Sequence, residues 1–135
     1  MIDLLKSLHP LHRTLVSDGT DRAIQIIEKD LCVGRSTIEE YKVGSKVWTW
    51  TVPPRYKVNK AVLSDEDGNV YADFKINPLY LWSYSISKEI KLSWTELRDH
   101  LFTSKVRPNA IPWYFRFYDK SWGFCIEYNK FKNMP

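Results

Sequence analysis

Two tryptophans stand one residue apart, at Trp48 and Trp50, in the stretch VWTWTVPPRY. In an extended strand they would share one face, and neighbouring indoles can stack on a sugar ring or on nucleic-acid bases. The same alternation is typical of a half-buried strand. Because the chain carries six Trp, eight Tyr and six Phe in 135 residues, most aromatic side chains must be buried. We therefore interpret Trp48 and Trp50 mainly as core residues, with a ligand platform as the alternative.

The two prolines that follow end this strand or place it at a sheet edge, because proline cannot donate a hydrogen bond to a sheet. Tyr56 lies just beyond them and is predicted to be exposed. For Trp82, Tyr84, Trp113 and Trp122 the core is again the stronger interpretation. Six aromatic residues are thus candidates for binding or docking: Trp48, Trp50, Tyr56, Tyr80, Trp82 and Trp122.

The residues that usually carry catalysis or bind metals form no recognisable site. His9 and His12 are separated by Pro10, which disrupts the helix that would align their rings, and neither Cys32 nor Cys125 has a second cysteine at metal-ligand spacing. The sequence has no phosphate-binding loop and no nucleophile elbow. Cys125 stays open as a nucleophile, because catalytic partners need only be close in space. We predict no catalytic, cofactor-binding or metal-ligating residue in this chain.

The charge and hydropathy of the chain limit the classes of partner and the cellular locations that we expect. A net charge of +4 is mild, and the basic residues are mixed with acidic ones, so a nucleic-acid partner is not expected. The N-terminus MIDLLKSLHP lacks the features of a signal peptide, and no apolar run approaches the length of a membrane span. The sequence therefore predicts a cytoplasmic protein with reduced thiols and no membrane partner.

The spacing of apolar residues predicts helices near the N-terminus and strands in the rest of the chain. Apolar residues at helical spacing indicate a helix in IDLLKSL and a second helix that Asp18 or Thr20 caps and that Gly34 ends. A hairpin is expected around Asp67-Gly68, and a capping box opens a short helix at Ser93. The remaining predicted strands cover residues 37–43, 46–52, 79–86, 113–118 and 122–128.

This order favours an α+β fold, because strands do not alternate regularly with helices. We expect N-terminal helices followed by a mostly antiparallel β-sandwich or partly open barrel with one inserted short helix. The predicted organisation is a helical segment over residues 1–33 and a small β-rich domain over residues 34–135.

Longer stretches of the sequence carry a family resemblance. The runs GSKVWTWTVPPRYKVNKAVL, GNVYADF, LYLWSYS, ELRDHL and PNAIPWYFRFYDKSWGFCIEYNKF occur in this order. From about Arg13 to the C-terminus, the chain resembles the N-terminal region of the bacterial and archaeal aminopeptidase-like proteins. These proteins are related to zinc aminopeptidases, have long been classed as domains of unknown function, and are often encoded among polysaccharide-biosynthesis genes.

The resemblance implies a small β-rich domain beside a peptidase-like domain that holds zinc. The family's zinc ligands come after the WGFC region, so the resemblance assigns none of them to this chain and predicts that it is inactive alone. The chain departs from the family pattern at Tyr80, where a histidine is common, and at Ser17, where a glycine is usual.

We therefore expect a non-catalytic accessory domain for docking or substrate gating, made as a truncated or split member of the family. Its expected partners are a zinc aminopeptidase-like catalytic domain, a second copy of the chain, or a glycan or peptide. Two alternatives stay open: an independent carbohydrate-binding module that uses its aromatic residues, and a single-stranded nucleic-acid binder.

Overall fold

A computed structural model describes residues 1–134 of the chain. The chain forms two compact units, Met1–Lys57 and Val58–Pro135, and each is described here by itself. The domain boundary predicted from the sequence, between residues 33 and 34, stays a prediction. The boundary between the two compact units lies between Lys57 and Val58.

The first unit begins with two helices, α1 (Ile2–Leu8) and α2 (Asp18–Leu31). Ser17 is the N-cap of α2, and its hydroxyl accepts a hydrogen bond from the Thr20 amide at 3.2 Å. Such a cap satisfies one of the free amides in the first turn of a helix. Both predicted helices are confirmed, and the cap lies one residue before the predicted Asp18.

The rest of the first unit contains a very short hairpin, β1 (Lys46–Val47) paired with β2 (Trp50–Thr51). The predicted continuous strand over residues 46–52 is wrong, because Trp48 and Thr49 form the turn of this hairpin. Trp48 has a φ of 54°, in the left-handed region that bulky residues rarely adopt. Residues 37–43, also predicted as a strand, have no regular secondary structure.

The second unit opens with the antiparallel hairpin β3 (Val62–Ser64) and β4 (Val70–Asp73). Gly68 in its turn has a φ of 85°, which glycine adopts without steric cost. The Asp65 carboxylate accepts hydrogen bonds from the Asn69 amide, the Asn69 side chain and the Tyr71 hydroxyl, each at 2.8 Å. The predicted hairpin is therefore confirmed, and side chains as well as backbone hold its turn.

Two further short strands, β5 (Leu101–Phe102) and β6 (Phe124–Cys125), form a parallel pair. Single bridges extend the pair: Leu81 pairs with Phe124, and Ser83 pairs in parallel with Phe115. Trp82 donates its amide hydrogen to Gly123 on one side, whereas Ser83 donates to Tyr114 on the other. Residues 113–117, here called the edge segment, therefore lie at the outer side of this arrangement.

The core of the second unit gathers around residues 80–85 and β6. Tyr80 closes a 3₁₀ turn (Pro78–Tyr80), where a strand start was predicted, because the Asn77 side chain accepts from the Leu79 amide and caps the turn. Residues 81–85 are extended or bent and buried, as their apolar run predicted. Cys125 and Ile126 are fully buried.

Two short helices complete this unit, α3 (Trp94–Leu97) and α4 (Tyr128–Phe131). The predicted capping box is confirmed, with the Glu96 carboxylate 2.9 Å from the Ser93 amide that donates to it. A 3₁₀ turn, Arg98–His100, follows α3 directly. Phe131 in α4 lies against Trp94 in α3, with ring centroids 5.3 Å apart.

The observed class is a mixture of short helices and small, mostly antiparallel sheets. Residues 1–134 contain no closed barrel, because each sheet in this range has only two strands. The expected sandwich is not confirmed in detail. No helix in the described range is long and apolar enough to span a membrane.

Candidate docking surface

The first unit places its three candidate aromatic residues in different environments. Trp48 is 95% exposed at the turn of the β1–β2 hairpin, and Trp50 is 37% exposed. The interpretation of Trp48 as a core residue is wrong, because the turn removes it from the strand alternation on which that interpretation depended. Tyr56 is half-buried, and its ring meets His12 edge to face at 5.9 Å.

Trp82 lies in the core of the second unit and presents no ring face to solvent. It is 6% exposed, its ring packs on Tyr114 at 4.6 Å, and its indole Nε1 donates to the Phe124 carbonyl at 2.9 Å. A buried indole with a satisfied N–H is a structural anchor. The core interpretation is confirmed for this residue.

Trp122 is half-buried and stacks on His100, with the rings 3.9 Å apart and 11° from parallel. His100 Nδ1 also lies 2.9 Å from the Trp122 carbonyl oxygen. One face of the Trp122 indole is therefore covered. His100 makes two contacts with Trp122, one through ring stacking and one through Nδ1. This contact gives His100 a packing role.

Tyr80 forms a polar cluster with Glu127, the N-cap of α4, and with Lys130 within that helix. Its hydroxyl donates to Glu127 Oε1 at 2.9 Å and accepts from Lys130 Nζ at 2.9 Å. Lys130 also donates to the Tyr71 carbonyl at 3.1 Å and lies 3.3 Å from Glu127 Oε2 as an ion pair. Burial raises the pKa of Tyr80, and Glu127 adds to that rise while Lys130 opposes it. The cluster joins α4 to the segment before the core strand.

The edge segment carries an exposed row of aromatic rings. The sequence favoured a core position for Trp113, which is wrong, and it did not single out Phe115 or Phe117. Trp113 is 55% exposed and Phe115 is 42% exposed. Their ring centroids lie 4.7 Å apart, and Phe115 stacks on Phe117 at 4.4 Å. Alternation along WYFRF places these three rings on one side, which is a signal that the sequence contained.

The stacking decides which part of the rings faces outward. Trp113 and Phe117 lie on opposite sides of Phe115 along the segment, at interplanar angles of 31° and 25°. Both faces of Phe115 are therefore covered, so its exposed area belongs to the ring edge. Sugars and bases stack on ring faces, whereas apolar ring edges suit contact with another protein surface.

Cys125, which the sequence left open as a nucleophile, is fully buried in this unit. Burial raises the pKa of the Cys125 thiol to about 12, although a hydrogen bond to the Tyr114 backbone opposes that shift. A thiol with such a pKa is almost entirely protonated near neutral pH and is a weak nucleophile. Among residues 1–134, no three His, Cys, Asp or Glu side chains form a group that could hold a metal ion. We assign no zinc site to these residues.

Comparisons with known proteins relate the chain to larger ones. A family model described as "Domain of unknown function (DUF2172)" matches residues 55–135. A protein of Clostridium acetobutylicum, named "Putative polysaccharide biosynthesis protein with aminopeptidase-like domain", is 31% identical over 132 residues. A crystal structure of a "putative peptidase" from the same organism superimposes with a TM-score of 0.85 at 30% identity.

These matches cover nearly all of this chain but only part of the relatives. The alignments span 98% of this chain, 30% of the named protein and 31% of the crystallised one. The chain therefore corresponds to about a third of each larger protein.

Proposed function

We propose that this chain, which belongs to the family described as a domain of unknown function (DUF2172), is a non-catalytic accessory domain of a larger peptidase-like protein. Its role is to dock against the remaining part of such a protein and so to shape access to that part. The proposal assigns no cofactor and no catalytic residue to this chain.

The observation that carries the proposal is the aromatic row of the edge segment. Two large rings, Trp113 and Phe115, are more than two-fifths exposed although the unit has a well-buried core nearby. Exposed apolar groups that are clustered and ordered against one another commonly mark a surface that contacts a partner. Because the exposed area of Phe115 belongs to its ring edge, a partner at this residue is better matched by protein side chains than by sugars or bases. The part of each larger relative that this chain does not match is a protein partner of this kind.

Sedimentation velocity can test the docking role. The part of the Clostridium acetobutylicum relative that lies outside the matched region is produced separately and mixed with this chain. We expect the two to sediment as one complex, and we expect Trp113→Ala to weaken it at least tenfold. Trp48→Ala is the matched control, because it removes an equally large exposed indole from the first unit. Independent sedimentation of the two proteins would refute the proposal.

A second candidate function depends on Trp48. Its indole is 95% exposed, so ring faces are available for a sugar, and the name of the relative mentions polysaccharide biosynthesis. Titration with a panel of oligosaccharides should then quench tryptophan fluorescence in the native chain and not in Trp48→Ala. Silence across the panel, or quenching that persists in the variant, would exclude this function.

A further inference from the structure

We propose that the edge segment binds its partner by strand addition, and that the added strand is an extended, acidic peptide segment of the larger protein's remaining part. This inference rests on the proposed docking function and deepens it by naming the chemistry of the contact. Two features of residues 113–117 support it, an open backbone edge and a row of aromatic rings. A third feature belongs to the longer stretch that contains them, residues 101–134, which carries an excess of positive charge.

The backbone edge is open on one side only. The Tyr114 carbonyl accepts from the Ser83 amide at 3.1 Å, and the Arg116 amide donates to the Ser83 carbonyl at 3.0 Å. In an extended chain, the N–H and C=O of the intervening residue, Phe115, face the opposite way. Within residues 1–134, these two groups have no hydrogen-bond partner. A row of such free groups is a template on which another extended chain can pair.

The aromatic row makes this edge selective for a peptide. Main-chain hydrogen bonds provide affinity in strand addition, and side-chain contacts at alternate positions provide specificity. Trp113, Phe115 and Phe117 occupy alternate positions, as the side chains of an added strand would. Apolar residues at every second position of the peptide would meet these rings.

Charge indicates the polar residues between them. Residues 101–134 contain six Lys or Arg and two Asp or Glu, a net charge of +4. Both acidic residues are already paired, Asp119 with Arg116 at 3.0 Å and Glu127 with Lys130 at 3.3 Å. The excess charge therefore favours a segment with acidic residues. The basic residues are Lys105, Arg107, Arg116, Lys120, Lys130 and Lys132.

The decisive experiment uses this chain and a blocked hexapeptide in which valine and glutamate alternate. Amide NMR shifts are followed in the labelled chain, and we expect saturable shifts centred on residues 113–117. Two further peptides carry N-methyl groups on either the valine or the glutamate amides. Pairing at one edge uses every second amide, so one of the two should bind at least tenfold more weakly and the other should not. Equal binding of all three peptides overturns the inference.

A matched pair of variants tests the chain's side of the contact. Phe115→Pro and Phe115→Leu both remove the ring, but only proline removes the amide hydrogen, which has no partner in the fold. We expect Phe115→Pro to bind the hexapeptide at least tenfold more weakly than Phe115→Leu. The N-methylated peptides decide the case on the native chain if the proline variant fails to fold.

The other outcomes are equally informative. The absence of saturable binding at up to about 1 mM peptide refutes strand addition, as does a dimer of this chain that forms through residues 113–117 and excludes the peptide. Association with the remainder of the relative without any effect of these peptides would keep the docking function and reject only its strand-addition form. A lack of association with that remainder, with peptide binding intact, would reject the docking function instead.

Discussion

Removing one hydroxyl from Tyr80 should measurably destabilise the second unit. Tyr80 is 7% exposed, and its hydroxyl makes two hydrogen bonds, one to the Glu127 carboxylate and one from the Lys130 ammonium, both at 2.9 Å. A hydrogen bond to a charged group contributes about 1.5–3 kcal/mol. Tyr80→Phe removes both bonds but keeps the ring, above which Lys130 Nζ lies at 4.9 Å.

The expected loss is smaller than the sum of two such bonds. Glu127 and Lys130 remain 3.3 Å apart and can compensate each other. Their side chains are 20% and 36% exposed, so water can replace part of what the hydroxyl supplied. We therefore expect a loss of about 2 kcal/mol in the free energy of unfolding. With a urea dependence of about 2 kcal/mol per M, the unfolding midpoint should fall by about 1 M.

Urea unfolding followed by tryptophan fluorescence provides the assay, with Tyr128→Phe as the matched control. Tyr128 belongs to the same unit, and its hydroxyl makes no hydrogen bond with any described residue. A midpoint for Tyr80→Phe that equals the midpoint of the control would refute this account of the cluster.

Tyr80→Phe should also change how the stability of the chain depends on pH. The pKa of Tyr80 is raised in the fold, mainly by burial. A group with a raised pKa contributes stability that is present below its unfolded pKa, about 10, and that is lost as the pH rises through the folded value. Tyr80→Phe cannot ionise at this position, so the stability difference between the two proteins should be constant near neutrality and narrow above about pH 10. A difference that widens at high pH would contradict the assigned cause.

Three further experiments test individual contacts. Gly123→Ala should destabilise the chain by about 1–3 kcal/mol or more in thermal unfolding, because the added Cβ would lie 2.5 Å from both the buried Trp82 ring and the His100 carbonyl oxygen; an unchanged melting temperature would show that both groups can move. Ser17→Ala should cost about 1 kcal/mol by removing the α2 cap, and Ser17→Thr should retain most of that stability. Cys125, with a pKa of about 12, should resist a thiol reagent at pH 8 until the chain unfolds, whereas Cys32 is only half-buried; rapid labelling of two thiols in the native chain would contradict its burial.

Signals that depend on a few neighbouring residues were sufficient for much of the secondary structure. The capping box at Ser93 and the Asp67-Gly68 turn were predicted because each is stabilised by atoms within four residues of it. Helices α1 and α2 were predicted from helical spacing for the same reason. The resemblance to aminopeptidase-like proteins was also available from the sequence, and the family match and the relatives confirm it.

Burial and pairing across long sequence separations could not be predicted in this way. Trp48 and Trp82 are both tryptophans in apolar stretches, yet one is 95% exposed and the other 6% exposed. The difference arises because a turn directs Trp48 into solvent, whereas Phe124, 42 residues away, supplies the carbonyl that anchors Trp82.

The candidate site shows the same division. The sequence alone determined the alternation of Trp113, Phe115 and Phe117, and with it their position on one side of an extended segment. Only the tertiary structure decided that Ser83 occupies one backbone edge of that segment and leaves Phe115 unpaired on the other. Local geometry follows from adjacent residues, but which hydrogen-bonding groups remain free depends on every chain segment that packs nearby.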